Sequence, residues 1–459
     1  MRDAGYYRDL VDAAMRPHKW IVCADAAAGF TAGIRRWREQ GYPRPLLLAG
    51  TPGTGELPTV EECELVMLGT SGRTMMGGIR AFHDALRSLP PEAVARIEAW
   101  DPAQEARVLA SFLDNTLTIA GRLSWGARPV EWQELEVKTV ADSIWEAAAV
   151  DHAPAMVVPA SPSALVGAAH ALGGKSGTVW AGDNREGWHG GAEYTRYVAD
   201  PDNAAGTIAF MAGHCDLVRV MPFLDGVPCS IHGMVFPDTV AAFRPVELVV
   251  FRVPGSDRFR YASVATSWDP PDDVREEMRA AARRVGTHLR DRAGFRGVFT
   301  MDGVTTADGW LPTELNPRFG AGMMPAARAA DLPLLGLSRL LIAGETAGLD
   351  AAEIEEIAVT AADEKRHIGG MTVLDRPVTA TETLRAHWDG TAVHPVGEGD
   401  GNAVLERGPS ASGGAVRFVL DPEAVVPGTL AAPVVAAAFA AADELWDTGI
   451  GPLIPAVAL

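Results

Sequence analysis

Three oxygen-bearing side chains fall close together late in the chain. Asp302 ends the stretch Gly297-Val-Phe-Thr-Met-Asp302-Gly303, and Glu314 and Asn316 lie in Leu311-Pro-Thr-Glu314-Leu-Asn316-Pro-Arg318-Phe-Gly320. The first stretch reads as an apolar strand ending in an acid, the second as a strand carrying Glu and Asn. Residues two apart on a strand share a face, so Glu314 and Asn316 project together and a hairpin can fold Asp302 back beside them. Two carboxylates and an amide oxygen make a hard, all-oxygen set. Such a set suits Mg²⁺, which shares its shell with water and nucleotide phosphates. The competing reading is a pair of ordinary turns, because Asp302-Gly303 and Asp308-Gly309 are both hairpin dipeptides and Asn-Pro opens loops. It accounts for Asp302 alone and poorly for the whole constellation.

The elements that must position these groups can be read outward from them. Pro45 to Ala49 is an apolar run followed by Gly50-Thr-Pro-Gly53-Thr-Gly55, a strand and a glycine-rich turn that does not match the dinucleotide fingerprint. A second strand near Glu64–Leu68, a loop Gly69-Thr-Ser-Gly72 and a helix from about Gly78 repeat the theme, so residues 1–130 read as a Rossmann-like α/β domain. Lys138 precedes apolar residues at helical spacing (Val140, Ile144, Ala148), with a strand expected after Pro154. Asp269-Pro-Pro-Asp272 starts a long helix, about 273–290, whose stripe Val274, Met278, Ala281, Val285 and Leu289 packs on a sheet. The remainder, 359–459, reads as an α+β module ending in a helix over Ala431–Asp447.

Composition narrows the class. A length of 459 residues calls for more than one core, and 47% apolar with 22% charged residues is ordinary globular usage. The net charge of −19 argues against nucleic acid or an anionic membrane as partner. Cys23, Cys63, Cys215 and Cys229 show no metal or disulfide spacing and fit a reducing cytoplasm. The first residues carry no apolar segment of a secretory signal, and the alanine-rich stretch near 433–442 is too short to span a bilayer. Cytoplasmic localisation is therefore expected.

The acid on one strand with Glu-x-Asn-Pro-Arg on the next resembles the metal-binding hairpin of the ATP-grasp carboxylate–amine ligases. The resemblance covers roughly residues 130–350. It implies an ATP-grasp fold within an α/β (α+β) chain, with the ATP-grasp domain at 131–358 and a lid subdomain at about 150–220. It also implies ATP and two Mg²⁺, with Asp302, Glu314 and Asn316 as metal ligands and Arg318 meeting phosphate or an acyl-phosphate. Lys138 would touch the nucleotide phosphates; a solvated lysine before a helix is the plain alternative, although a cation there opposes the helix dipole.

The stretch Gly173-Gly174-Lys175-Ser176-Gly177 has the tail of a Walker A loop, but Ala169 stands where its first glycine belongs and no strand precedes it. His189-Gly190-Gly191 suggests a hydrolase loop, yet no G-x-S-x-G elbow exists in the chain. The stretch instead resembles the family's glycine-rich lid, in which Gly187, Gly190 and Gly191 let backbone N–H groups approach phosphates. The family's lysine at the end of the first lid strand is missing: Trp180-Ala181-Gly182 stands there. Lys175 or Arg185 is expected to replace it. Val218-Arg-Val-Met-Pro-Phe223 resembles the hinge that seats adenine, through the backbone of Val220 and Met221. His232 lies on the following strand and reads more readily as a core histidine than a catalytic one. Arg244 and Glu247 are weak substrate candidates, equally explained as a structural ion pair.

The lid, the Ser-Ile-His-Gly strand and Phe-Arg-Pro-Val-Glu are most similar to the pheganomycin-type peptide ligases within that family. The resemblance implies an ADP-forming ligase that joins an amino-acid-like carboxylate to the amine of a peptide or amino acid in natural-product biosynthesis. The partners are small molecules, and homo-oligomerisation is left open. Two alternatives stand beside it: a ligase of two small molecules, and a degenerate nucleotide-binding protein.

Overall fold

The computed structural model describes residues 2–455 apart from 73, 111–112, 188, 398, 400 and 411–412. Trp188, inside the glycine-rich stretch, is thus outside the described residues. The chain opens with α1 (Ala4–Met15), β1 (Trp20–Ala26), α2 (Thr31–Glu39), β2 (Leu46–Thr51), β3 (Glu64–Met67), α3 (Met75–Arg87), α4 (Pro91–Trp100) and β4 (Arg107–Leu109). The strands pair in parallel in the order β3-β2-β1-β4. Leu46–Thr51 is buried along its whole length, which requires cover on both faces of the sheet. Phe82, Leu86, Ala93 and Ile97 cover one face. Tyr7 and Val11 of α1 cover the other, in a core that also takes Leu337, Ile354 and Ala358 from much later in the chain.

Two short strands, β5 (Thr118–Ile119) and β6 (Arg122–Leu123), lead to α5 (Ala141–Ala147). Lys138 sits in a short 3₁₀ turn, Lys138–Val140, before that helix and not in its first turn. The next elements are β7 (Met156–Pro159), α6 (Pro162–Leu172), β8 (Thr178–Gly182), β9 (Thr195–Val198), α7 (Ala205–His214) and β10 (Leu217–Pro222). They form a separate sheet in the order β7-β10-β8-β9, backed by Leu165, Ala169 and Met211.

The central sheet is built from later strands. It comprises β11 (Val227–Val235), β12 (Val240–Ala242), β13 (Val246–Arg252), β14 (Phe259–Ala265), β15 (Gly297–Thr306) and β16 (Gly309–Asn316), with main order β14-β13-β11-β15-β16. The long helix α8 (Asp272–Ala293) buries Val274, Met278, Ala281, Val285 and Leu289 against it, the stripe expected from the sequence. Acids in its first turn and arginines in its last complement the helix dipole. On β15, Phe299 and Met301 join that core. Cutting Met301 to alanine would cost roughly 2–5 kcal/mol. The alternate residues, Thr300 and Asp302, face the other way.

After α9 (Met323–Ala330) and α10 (Leu334–Ala343), α11 runs Ala351–Glu364. The boundary expected after residue 358 falls inside this helix. Its buried stripe Ile354, Ala358 and Ala362 packs into the core shared with the N-terminal sheet. The chain ends in β17 (Gly369–Leu374), β18 (Glu382–Trp388), β19 (Val393–Pro395), β20 (Ala403–Ser410), β21 (Gly413–Leu420) and α12 (Ala431–Trp446), a five-stranded antiparallel sheet packed on one helix. No helix among the described residues is long and apolar enough to cross a membrane.

Candidate active site

The geometry begins with strand register. Ser230 of β11 pairs with Asp302 of β15, which pairs with Glu314 of β16. One step along, His232 pairs with Thr300, which pairs with Asn316. Two transverse rows of side chains therefore lie on one face of three adjacent strands. The hairpin is longer than expected: β15 continues through Gly303 to Thr306, and the reversal comes at Ala307-Asp308, with Thr306 paired to Gly309. A register shift lies between Asp302 and Gly303. Pro312, which has no N–H to give a ladder, and Thr313, whose Oγ1 donates to the carbonyl of Asp302 at 3.2 Å, sit at this bulge.

Hydrogen bonds tie the row to its surroundings. The Ser230 hydroxyl donates to Asp302 Oδ1. Asn316 Nδ2 donates to Asp302 Oδ2 at 2.8 Å, and Arg318 Nη2 donates to Asn316 Oδ1 at 3.0 Å. Arg318 Nε reaches Glu136 Oε1 at 2.8 Å, and Arg128 Nη1 reaches Glu136 Oε2 at 2.6 Å. Lys138, almost wholly buried, forms an ion pair with Glu314. Burial, and then the neighbouring Glu314 carboxylate, hold the Asp302 carboxyl above its ordinary range.

These facts bear on metal binding. Two carboxylates directly opposite each other across a ladder repel, and a cation relieves the repulsion; Lys138 already supplies one. The donor set is all oxygen. Among the described residues no group of three His, Cys, Asp and Glu side chains gathers as a metal cluster, because the third member here is an asparagine. The set fits a hard cation that keeps part of its shell for other oxygens.

The two rows form part of the wall of a cavity of about 1000 Å³, at the upper end of single-ligand pockets. Gly190 and Gly191 from the β8–β9 loop, Met221 near the end of β10, Phe223 just after it, and Phe30 and Ile79 from the N-terminal unit complete it. The loop after Arg318 lies flat on the second row. A methyl group on Gly320 would collide with the Thr300 hydroxyl, and one on Gly322 with the His232 ring.

The other expected residues divide. Gly187 and Gly191 take left-handed backbone, φ 94° and 56°, which glycine adopts without strain. Val220 packs inside the β7–β10 sheet. β7 ends opposite Val220, so the described ladder leaves Met221 with a strand neighbour on the β8 side alone. His232 is fully buried, and burial lowers its pKa to about 3, so it is neutral.

Four of the expected residues lie outside the cavity wall. Lys175 is exposed on the turn before β8 and is not among the residues of the cavity wall. Arg185 is used up on the carbonyls of Gly213 and Cys215 and on Asp216, so it braces its loop against the end of α7. Arg244 is held by Asp363, Asp269 and the carbonyl of Trp268. Both carboxylate oxygens of Glu247 accept backbone N–H bonds from Ala431 and Ala432, at 2.6 and 2.9 Å, capping α12. The strand explains Glu247, since its neighbours Leu248 and Val250 face the cavity.

Ser230, Thr300, Glu136, Arg128 and the Arg80–Glu193 pair were not foreseen. The alternation in Cys-Ser-Ile-His carried the signal for Ser230, and Thr300 lies two before Asp302. Nothing local marks Glu136.

No family model matches the chain, and no curated protein matches it. Solved structures do. The biotin carboxylase domain of a single-chain bacterial carboxylase aligns with TM-score 0.54 at 14% identity, covering 88% of this chain and 85% of that one. A biotin carboxylase–β,γ-ATP complex from Campylobacter jejuni aligns at 0.52 and 10% identity, covering 89% and 88%. Pyruvate carboxylase of Rhizobium etli aligns at 0.57 and 14%, covering 94% of this chain and 37% of that one. This is the ATP-grasp fold. At these identities the likeness is one of fold; the activity rests on the site.

Proposed function

We propose that this chain is an ATP-dependent, ADP-forming carboxylate–amine ligase. Its acid is amino-acid-like, its acceptor is the amine of a peptide or amino acid, and its setting is natural-product biosynthesis in the cytoplasm, as the pheganomycin-type resemblance suggests. The observation that carries the reading is the row Ser230–Asp302–Glu314 beside Asn316, with Lys138 and Arg318 at its two flanks and glycines over the same cavity. The proposed division is a Rossmann-like unit at 1–130, the ATP-grasp domain from 131 with its lid at about 150–220, and the C-terminal module, with the later boundary moved past α11.

Asp302, Glu314 and Asn316 would hold Mg²⁺, whose chemistry is to screen phosphate charge. Lys138 and Arg318 add fixed positive charge at the terminal phosphate, where negative charge builds up in the transition state. A substrate carboxylate oxygen attacks the γ-phosphorus, the bond to the β–γ bridging oxygen breaks, and ADP leaves with that oxygen. The acceptor amine then attacks the acyl carbon, the carbon–oxygen bond to phosphate breaks, and inorganic phosphate departs with the proton that the amine loses as the amide forms. Gly190 and Gly191 close the cavity above, excluding water that would hydrolyse the acyl-phosphate. Met221 and the hinge backbone seat the base.

The test is product analysis with ATP, Mg²⁺, hydroxylamine and a pool of amino and guanidino acids. ADP together with a hydroxamate supports the ligase; AMP with pyrophosphate overturns it. A second reading, nucleotide binding without turnover, is favoured by one observation: neither Lys175 nor Arg185 fills the place of the lid lysine. Tight ATP binding with no ADP from any acid would support that reading.

A further inference from the structure

Glu136 ends the 3₁₀ segment Val130–Glu136 and is 3% exposed. Its two oxygens are divided between two arginines, Oε2 to Arg128 Nη1 at 2.6 Å and Oε1 to Arg318 Nε at 2.8 Å. Arg318 in turn holds Asn316 Oδ1, and Asn316 holds Asp302. An unbraced arginine at a cavity wall samples many rotamers. A carboxylate anchored by a second, buried arginine selects one of them, because the guanidinium offers its donors in a fixed plane.

We propose that Glu136 is a positioning residue for the ligase reaction. It presets the Arg318 guanidinium and, through it, the Asn316 amide, so that both face the phosphates before the nucleotide arrives. The proposal rests on the ATP-dependent reading of this site. Glu136 acts through Arg318, by holding its geometry; its charge by itself opposes the nucleotide, so a loss of affinity on neutralising it reports positioning and not attraction. Its place in the segment entering the ATP-grasp domain, 182 residues before Arg318, also makes the seating of that segment a condition for an ordered site.

The experiment is calorimetric titration of the full chain with Mg²⁺ and the β,γ-imido analogue of ATP, for wild type, E136Q, E136D, R318A and E136Q/R318A, each checked by thermal melting. Glu136→Gln and Arg318→Ala are each expected to weaken binding about tenfold or more. The double variant should bind no more weakly than R318A alone, and E136D, which keeps the charge, should recover part of the loss. Wild-type affinity in E136Q or in R318A, or losses that multiply in the double variant, would overturn the proposal. If E136Q melts far below wild type, E136D and E136D/R318A carry the same comparison. A wild-type protein that binds no analogue overturns the nucleotide reading and the proposal with it, a result distinct from binding with multiplying losses.

Discussion

Arg80 of α3 and Glu193 of the glycine-rich β8–β9 loop face each other in a two-pronged ion pair, with Arg80 Nη2 2.7 Å from Glu193 Oε1. The pair joins the N-terminal unit to the proposed lid loop across 113 residues of sequence. Both partners are partly exposed, so the contact is worth under about 1 kcal/mol. That is enough to shift a lid equilibrium about two- to fivefold. Arg80→Ala should raise hydrogen exchange over residues 183–194 and lower ADP formation by that factor. The charge swap R80E/E193R should restore both. Unchanged exchange in R80A would show that the pair does not hold the lid.

Glu314→Gln or Asn316→Ala should lower Mg²⁺-dependent ADP formation about a hundredfold, with melting temperature within a few degrees of wild type. Chromatography of the nucleotide products decides it. Turnover equal to wild type would refute the metal assignment.

Lys138→Ala should weaken ATP binding about tenfold or more, because the cation that Lys138 places behind Glu314 of the cavity wall is lost. Because that cation rests on Glu314, the Mg²⁺ concentration needed for half-maximal binding should change in the same variant. Titration of ATP at several Mg²⁺ levels checks both. An unaltered affinity would mean that Lys138 only neutralises Glu314.

His232 gives the fold a pH dependence. Its folded pKa, about 3, lies below the unfolded value near 6.5. Above pH 6.5 it is neutral in both states and costs nothing. As pH falls from 6.5 toward 3 the unfolded chain takes up a proton that the fold refuses, so stability is lost across that window, by roughly 5 kcal/mol at most. His232→Gln should flatten denaturant midpoints measured between pH 7 and pH 4. An equal slope in the variant would place the acid sensitivity in other groups, with His367 and His83, both lowered to about 4 by burial, next in line.

Much of this arrangement was legible in the chain because strand alternation is local. Asp302, Glu314 and Asn316 come together as their spacing requires, and the stripe of α8 packs as its period predicts. What was not legible shares a cause. Whether Arg185, Arg244 or Glu247 faces a cavity or its own partners depends on contacts from elements far away in sequence, such as Asp363 for Arg244 and the start of α12 for Glu247. The same distance hid Glu136. The placement of α11 was missed because its stripe shows that it is buried without saying which core receives it.

The bulge beside Asp302 has an engineering consequence. Because the irregularity sits between the Asp302–Glu314 pair and the rest of the hairpin, the ladder beyond it, from Val304 and Leu311 to the turn, is a separate stretch of register. Residues added within the turn, at Ala307-Asp308, lengthen the tip and leave the row in place, whereas additions nearer the bulge would displace buried Trp310 and the Thr305–Val227 pairing. A single residue added between Thr313 and Glu314 instead sends Glu314 and Asn316 to the opposite face. The tip is thus the place to graft a reporter or an epitope on this chain, and the few residues below it are the place where length must not drift.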